Sequence, residues 1–168
     1  MRGSVVALAG SLVFFLLAPG TLAGFVPYRL TNWRVQPAFF GQRWLPAAGA
    51  VLLLGGVAVL MDSFLRFALE GRGTPAPVVP PEQLVVSGLY RYVRNPMYVA
   101  VLSTVFGQAL ILSSATLLWY SAILWVLFHL FVLLYEERAL RQKFGRSYEA
   151  YCSHVRRWRP RVRPWSGR

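Results

Sequence analysis

Residues 97–135 read MYVAVLSTVFGQALILSSATLLWYSAILWVLFHLFVLLY, a stretch without Asp, Glu, Lys or Arg. It contains two apolar runs, about Met97–Leu112 and Thr116–Tyr135, which are separated only by the Ser-Ser-Ala sequence at 113–115. A helix needs roughly 20 residues to cross a bilayer, so the second run is long enough and the first is short. The stretch therefore predicts a tight helical hairpin in lipid.

Two further apolar runs precede it, at about Gly3–Phe25 and Leu45–Leu69. Hydrophobic residues make up 56% of the chain and charged residues 14%, whereas a soluble domain has about 25% charged residues. The first run is long, and the chain stays hydrophobic after it, which favours a retained span over a cleaved signal. We predict an all-α polytopic membrane protein with about four transmembrane helices and a C-terminal cytoplasmic helical segment.

The basic residues, 17 Arg and one Lys, give a net charge of +12 and flank the apolar runs. Anionic lipid headgroups near the C-terminal tail are therefore expected partners, and nucleic acid is not. The basic residues of the central loop, residues 70–95, and of the tail after residue 135 predict that both termini lie in the cytoplasm, as in a bacterial inner membrane protein. One membrane domain is expected, with an N-terminal helix pair (1–72), a core (73–160) and a basic tail (161–168).

The segment from Arg94 to Tyr98, Arg-Asn-Pro-Met-Tyr, predicts a helix start at the membrane surface. Asn95 is a good N-cap, and Pro96 suits the first helical position. Such a start beside arginines is able to bind an anion. Aromatic rings nearby are able to cover a purine or face a sulfonium, although they fit membrane-interface anchors equally well: Tyr90, Tyr92 and Tyr98.

Glu136 and Glu137 follow the fourth run, where acidic residues at a helix C-terminus oppose the macrodipole. Glu137 is expected to pair with Arg141, and Glu136 either is solvated or binds a ribose or ammonium group. His129 is an ionisable group within the apolar run, so it is either functional or hydrogen-bonded to a neighbouring helix. The tail is expected to break at Gly145, resume as a helix around 148–151 and fray by residue 160.

The pattern resembles the isoprenylcysteine carboxyl methyltransferase family and the related phospholipid methyltransferases. The resemblance covers about residues 73–160 and rests on spaced motifs: LV-x-S-G-x-Y at 84–90, R-N-P-x-Y at 94–98, the Glu pair, and F-G-x-x-Y-x-x-Y at 144–151. It implies an integral membrane enzyme that uses S-adenosylmethionine to methylate a membrane-delivered, lipophilic acceptor. Cofactor contacts would fall on Gln83, Leu84, Val85, Tyr90, Asn95, Tyr98 and Glu136, and catalytic roles on Arg94 and Glu137.

This sequence departs from the eukaryotic enzymes at two places. They have Arg-His-Pro where this chain has Arg94-Asn95-Pro96. The asparagine that replaces the histidine is still able to donate and accept hydrogen bonds and to cap the helix. They also carry an arginine for a substrate carboxylate in the turn before the Glu pair, which here contains only apolar residues at 130–133. The identity of the acceptor is therefore open, and an amine acceptor would pass its proton to Glu137 or to water.

Two other functions remain compatible with the sequence. A sterol-reductase-like membrane enzyme would need a nicotinamide cofactor, whose phosphates require more Arg and Lys in the loop. A non-catalytic membrane protein would use its basic tail to hold a partner or anionic lipid. No P-loop, dinucleotide fingerprint or metal-ligand spacing is present in the sequence, so no metal is expected.

Overall fold

The computed structural model of the protein describes residues 17–37, 39–69 and 83–166, which form helices joined by turns and extended segments. The α-helices of this part are α1 (Val26–Thr31), α2 (Leu45–Leu69), α3 (Pro96–Ile111), α4 (Ala115–Phe131), α5 (Glu137–Phe144) and α6 (Arg146–His154). A π-helical turn precedes α1 (Thr21–Phe25), another joins α4 to α5 (Val132–Glu136), and 3₁₀ turns lie at Phe39–Gly41 and Gly88–Arg91. The prediction of an all-α protein is thus confirmed for the described residues.

Two helices in the described residues are long and apolar enough to cross a membrane, Leu45–Arg66 and Ala115–Phe144, and Pro96–Ile111 is a shorter apolar helix. Large apolar side chains such as Val51 and Trp119 point outward from α2 and α4, at 72% and 73% exposed. A water-facing surface of this kind would be unfavourable, whereas lipid solvates it. The first predicted run is described only from residue 17, so the number of about four spans stays a prediction.

Helices α2 and α3 are in direct backbone contact because small residues face each other along both. A Cβ atom added to Gly49 would lie 2.6 Å from the Gly107 carbonyl oxygen. One added to Gly56 would lie 2.6 Å from Thr104 Oγ1 and 2.7 Å from the Ala100 carbonyl oxygen. In lipid, helices associate through close packing of this kind, since burial of apolar surface gives little driving force there. The pair of helices positions the N-terminus of α3, where the candidate site begins.

The sequence predicts that the first apolar run ends at about Phe25. In the structure its helix continues past this residue, through Pro27 to Thr31. Proline has no N–H to donate to the carbonyl groups of the preceding turn. The Tyr120 hydroxyl donates to the Leu22 carbonyl at 2.9 Å, and Gln108 Nε2 donates to the Ala23 carbonyl at 2.7 Å. In a membrane these side chains satisfy oxygens that water cannot reach, so the helix continues past the proline.

The predicted hairpin between the third and fourth runs is confirmed. Helix α3 ends at Ile111 and α4 begins at Ala115. Ser113 adopts a left-handed conformation with φ of 51°, and the Ser114 side chain caps α4 by accepting from the Leu117 N–H at 3.4 Å. The short connection makes α3 and α4 antiparallel neighbours. The N-terminus of α3 and the C-terminal end of α4 therefore lie at the same end of the molecule.

The prediction of a helix end near Glu136 is wrong, because the helix passes through a π-helical turn and continues to Phe144. The predicted break at Gly145 is confirmed, with φ of +49°. The expected fraying of the last helix by residue 160 is also confirmed, since α6 ends at His154. Residues 155–166, which we call the C-terminal strap, lie across the 3₁₀ turn and the residues that lead into α3. The Arg94 N–H donates to the Arg156 carbonyl of the strap at 3.0 Å, and the Arg161 N–H of the strap donates to the Tyr92 carbonyl at 2.9 Å.

Substitution of Gly56 by alanine tests the packing of α2 on α3. The added methyl group would press on the backbone and side chains of α3, so we expect Gly56→Ala to destabilise the protein by about 1–3 kcal/mol. Thermal unfolding in detergent measures the effect. The matched control is Gly55→Ala, because a Cβ there meets no atom within 4 Å. Equal midpoints for the two variants would contradict the close approach.

Candidate active site

A cavity of about 980 Å³ lies between α3, α4, α5, α6 and the first helical segment. One end is apolar and is lined by residues deep in the helices, including Leu22, Val101 and Leu124. The other end is polar and is lined by the loop before α3 and by α5 and α6, including Arg94, Asn95, Tyr98, Glu136, Lys143 and Tyr148. Its volume lies at the upper end of the range for ligand pockets, about 300–1,000 Å³. A single cavity thus connects the lipid-embedded helices with the polar end of the molecule.

Glu136 faces this cavity and accepts a hydrogen bond from the Tyr98 hydroxyl at 2.6 Å. The tyrosine ring is held in place by Phe128, whose centroid lies 4.8 Å away. The π-helical turn at Val132–Glu136 adds a residue to the helical turn, and such turns are frequent at functional sites. The turn presents Glu136 to the cavity and directs its neighbour Glu137 elsewhere.

Glu137 lies outside the cavity wall and is only 5% exposed. Arg157 binds it through two hydrogen bonds, Nε to Oε1 at 2.6 Å and Nη2 to Oε2 at 3.0 Å. Arg94 Nη1 donates to the same Oε1 at 3.1 Å, and the predicted pair with Arg141 is present at a longer 3.9 Å. The hydrogen bond to Glu137 raises the pKa of Arg157 further. One carboxylate thus binds three guanidinium groups, which leaves an excess of positive charge beside the cavity.

The start of α3 differs from the predicted cap. Asn95 occupies the N-cap position and Pro96 the first turn, as predicted, but the Asn95 side chain makes no capping bond. Its Nδ2 donates to the Arg157 carbonyl at 3.2 Å instead. The first N–H groups of a helix have no partners within it, and here no side chain caps them. Met97 and Tyr98 of this first turn line the cavity together with Arg94, and an uncapped helix start beside an arginine is a setting that favours an anion.

The 3₁₀ turn before α3 holds Tyr90 against the cavity. Gly88 has φ of +48°, and a Cβ there would collide with the Arg66 guanidinium, which binds Asp62 and Ser87. Only glycine fits this approach, which explains the Ser-Gly of the first motif. The Tyr151 hydroxyl donates to the Tyr90 carbonyl at 2.6 Å. Burial raises the pKa of both phenols, so both hydroxyl groups stay protonated.

His129 is not among the residues that line the cavity. Its Nδ1 accepts a hydrogen bond from Trp158 Nε1 at 2.9 Å, and its ring stacks on Trp125 at 5.4 Å. Of the two roles considered from the sequence, the structure thus shows the hydrogen-bonded one. The partner, however, is the C-terminal strap rather than a neighbouring membrane helix.

Most of the predicted site residues lie together. The cavity wall includes Leu84, Val85, Tyr90, Arg94, Asn95, Tyr98 and Glu136. Gln83 is exposed and does not line the cavity, Glu137 lies behind Arg94, and Tyr92 is also absent from the wall. The spacing of four between Asp62, Arg66 and Glu70 in the sequence predicts a self-neutralising ladder of charges with a structural role. Its Asp62–Arg66 pair is present at 2.8 Å, while Glu70 lies outside the described residues.

Sequence reasoning missed several wall residues on α5 and α6, among them Lys143, Tyr148 and Tyr151. The two tyrosines belong to the F-G-x-x-Y-x-x-Y motif, so the motif itself was the available signal. It also missed Arg157, because one arginine within a run of arginines carries no distinguishing pattern.

The family model described as phospholipid methyltransferase matches residues 44–147, well over half of the chain. No curated protein sequence and no solved structure matches the chain. The matched region includes α2 to α5, the Arg94–Tyr98 motif and both glutamates. The chain therefore belongs to the phospholipid methyltransferase family, and it is an integral membrane methyltransferase that uses S-adenosylmethionine.

Proposed function

We propose that the protein transfers the methyl group of S-adenosylmethionine to an amine-bearing lipid that enters the cavity from the bilayer. The observation that carries this proposal is the single cavity with one polar and one apolar end, where Glu136 and Tyr98 lie between the two. The polar end suits a charged, water-soluble cofactor, and the apolar end suits alkyl chains.

The polar end has the donors and acceptors that S-adenosylmethionine requires. Among the described residues none accepts a hydrogen bond from Arg94 Nε, a buried donor on a side chain that lines the cavity. A buried donor without a partner is costly, and a carboxylate ligand would supply one. The excess positive charge around Glu137 and the uncapped start of α3 favour the same anion.

The remaining contacts divide between aromatic and acidic side chains. Tyr90 and Tyr148 offer ring faces for the adenine base, and Tyr98 lies where a cationic sulfonium would meet an aromatic ring. Glu136 is able to accept hydrogen bonds from ribose hydroxyls or from an ammonium group. Leu84 and Val85 close the wall beside them.

When bound, S-adenosylmethionine supplies an electrophilic methyl group on a sulfonium. The chain's own residues then act mainly by alignment and by exclusion of water, which accounts for much of the acceleration of such displacements. Tyr98 holds its proton on the hydroxyl that bonds to Glu136, and this bond fixes the carboxylate in the cavity. Both oxygens of Glu137 are already bonded to arginine, so we assign the proton of an amine acceptor to Glu136 or to water rather than to Glu137.

The charges of the cavity favour an amine over a carboxylate acceptor. Its described cationic side chains, Arg94 and Lys143, lie at the polar end, and the turn at 130–133 provides only apolar groups. A carboxylate near the reacting centre would therefore lack a partner, whereas an amine would meet Glu136. The matched family's description as phospholipid methyltransferase supports an aminophospholipid as the first substrate to test.

The side of the membrane follows from the same polar end. We propose that it faces the cytoplasm, because the arginines of the described chain concentrate there, on the loop before α3, on α5 and α6 and on the strap. The anionic headgroups of that leaflet are proposed partners of the exposed arginines.

Transfer of labelled methyl groups tests the proposed function. Purified protein in nanodiscs is incubated with labelled S-adenosylmethionine and total lipid extract, and the products are identified by mass spectrometry. We expect the label on the nitrogen of an aminolipid headgroup. Label recovered as a base-labile methyl ester would contradict the choice of acceptor, and no labelled lipid would contradict the function.

Replacement of Glu136 by glutamine tests its place in the cofactor site. Loss of a charged acceptor costs roughly 1.5–3 kcal/mol, so we expect about tenfold to hundredfold weaker binding of S-adenosylmethionine by calorimetry. Glu149→Gln is the control, since this exposed glutamate on α6 undergoes the same change of charge away from the cavity. Unchanged affinity in Glu136→Gln would remove the residue from the site.

Substitution of Leu127 by tryptophan tests the apolar end. Leu127 lines the cavity from α4 and is 56% exposed, so the larger ring narrows the cavity without overpacking the core. We expect KM for the lipid to rise severalfold with the affinity for S-adenosylmethionine unchanged. Leu130→Trp, on the same helix but away from the cavity wall, is the control. A fall in cofactor affinity, or no change in KM, would contradict the division of the cavity.

A further inference from the structure

We propose that Arg157 is a positioning residue for the methyltransferase, and that the C-terminal strap, which carries it, holds two wall residues at the cofactor end of the cavity in position. This inference rests on the proposed cofactor site, because Arg157 acts on that site through Glu137 and Asn95. It assigns a role to a part of the chain beyond the family-matched residues 44–147.

Arg157 determines where the Glu137 carboxylate lies. Its Nε and Nη2 bind the two carboxylate oxygens at 2.6 and 3.0 Å, the bidentate geometry that fixes both partners. Arg94 then binds Oε1 through Nη1 alone, at 3.1 Å. Without Arg157, Oε2 would keep only the 3.9 Å contact with Arg141. The carboxylate could then turn and bind Arg94 through both oxygens, which would move the Arg94 guanidinium away from the cavity.

The backbone of the same residue positions a second wall residue. The Arg157 carbonyl accepts from Asn95 Nδ2 at 3.2 Å, and the neighbouring Arg156 carbonyl accepts from the Arg94 N–H at 3.0 Å. The side chain at the N-cap position of α3 thus bonds to the strap, and it makes no capping bond to the first N–H groups of the helix. One short segment of the strap thus sets both Arg94 and Asn95.

The strap is also attached to the rest of the molecule at two independent points that follow Arg157 in the chain. Trp158 donates to His129 of α4 at 2.9 Å. Further along, Arg91 Nε donates to the Trp165 carbonyl at 2.6 Å, and the Trp165 N–H donates back to the Arg91 carbonyl at 3.0 Å. Because these bonds do not involve the Arg157 side chain, its removal should leave the strap in place and act on the site alone.

The experiment compares Arg157→Gln with Arg157→Lys and with Arg159→Gln in the full-length protein. Arg159 is an exposed arginine of the strap, so its variant undergoes the same change of charge. Binding of S-adenosylmethionine is measured by calorimetry. Hydrogen exchange is measured at the Arg94 amide, which donates to the Arg156 carbonyl and therefore reports whether the strap stays in place. We expect about tenfold or greater loss of affinity in Arg157→Gln, no loss in Arg159→Gln, and partial recovery in Arg157→Lys, which keeps one charge but loses the bidentate contact.

Coupling to Glu137 separates a positioning role from a general loss of structure. If Arg157 acts through Glu137, the double variant Glu137→Gln/Arg157→Gln should bind the cofactor no more weakly than Glu137→Gln alone. Additive losses would overturn the inference. A variant Arg157→Gln that unfolds at a lower temperature but binds S-adenosylmethionine as tightly as the natural protein would also overturn it. If the natural protein itself binds no S-adenosylmethionine, the proposed function fails instead.

Discussion

The carboxylate of Glu137 joins three parts of the chain that are distant in sequence: the long helix that runs from α4 into α5, the residues just before α3, and the C-terminal strap. It does so through arginines, Arg94 and Arg157, whose fork of donors suits a carboxylate better than a lysine would. Burial of the Glu137 carboxylate is tolerated because both of its oxygens are bonded to arginine. The position of Arg94 at the cavity, and with it the polar end of the site, depends on this one group.

The bilayer imposes the second constraint. Backbone groups in lipid need partners within the protein, which explains why Tyr120 and Gln108 bond to carbonyl oxygens beside Pro27. Close packing of Gly49 against Gly107 replaces the hydrophobic driving force that a soluble core would have. The helices thus provide a rigid apolar frame, and the chemistry is confined to the end where the chain leaves it.

Hydrophobic periods and turn residues predict the frame well. The bounds of α2, the Ser113–Ser114 hairpin and the break at Gly145 follow from local sequence, because each is decided by neighbouring residues. The end of the first helical segment does not follow from local sequence, since its continuation past Pro27 depends on side chains from other helices. The direction of Glu136 was not predictable either, because a π-helical turn leaves no pattern in the sequence. The docking of the strap on the rest of the protein was not predictable from the sequence either, because its arginines are typical of a tail that faces lipid headgroups.

The central claim is that the polar end of the cavity holds S-adenosylmethionine. Calorimetric titration of the purified protein in nanodiscs with S-adenosylmethionine, and separately with NADPH, tests it most directly. The structure predicts saturable binding of S-adenosylmethionine and none of NADPH, because the site offers an anion contact for one carboxylate and tyrosine rings for one adenine. Binding of NADPH instead, or of neither compound, would contradict the account.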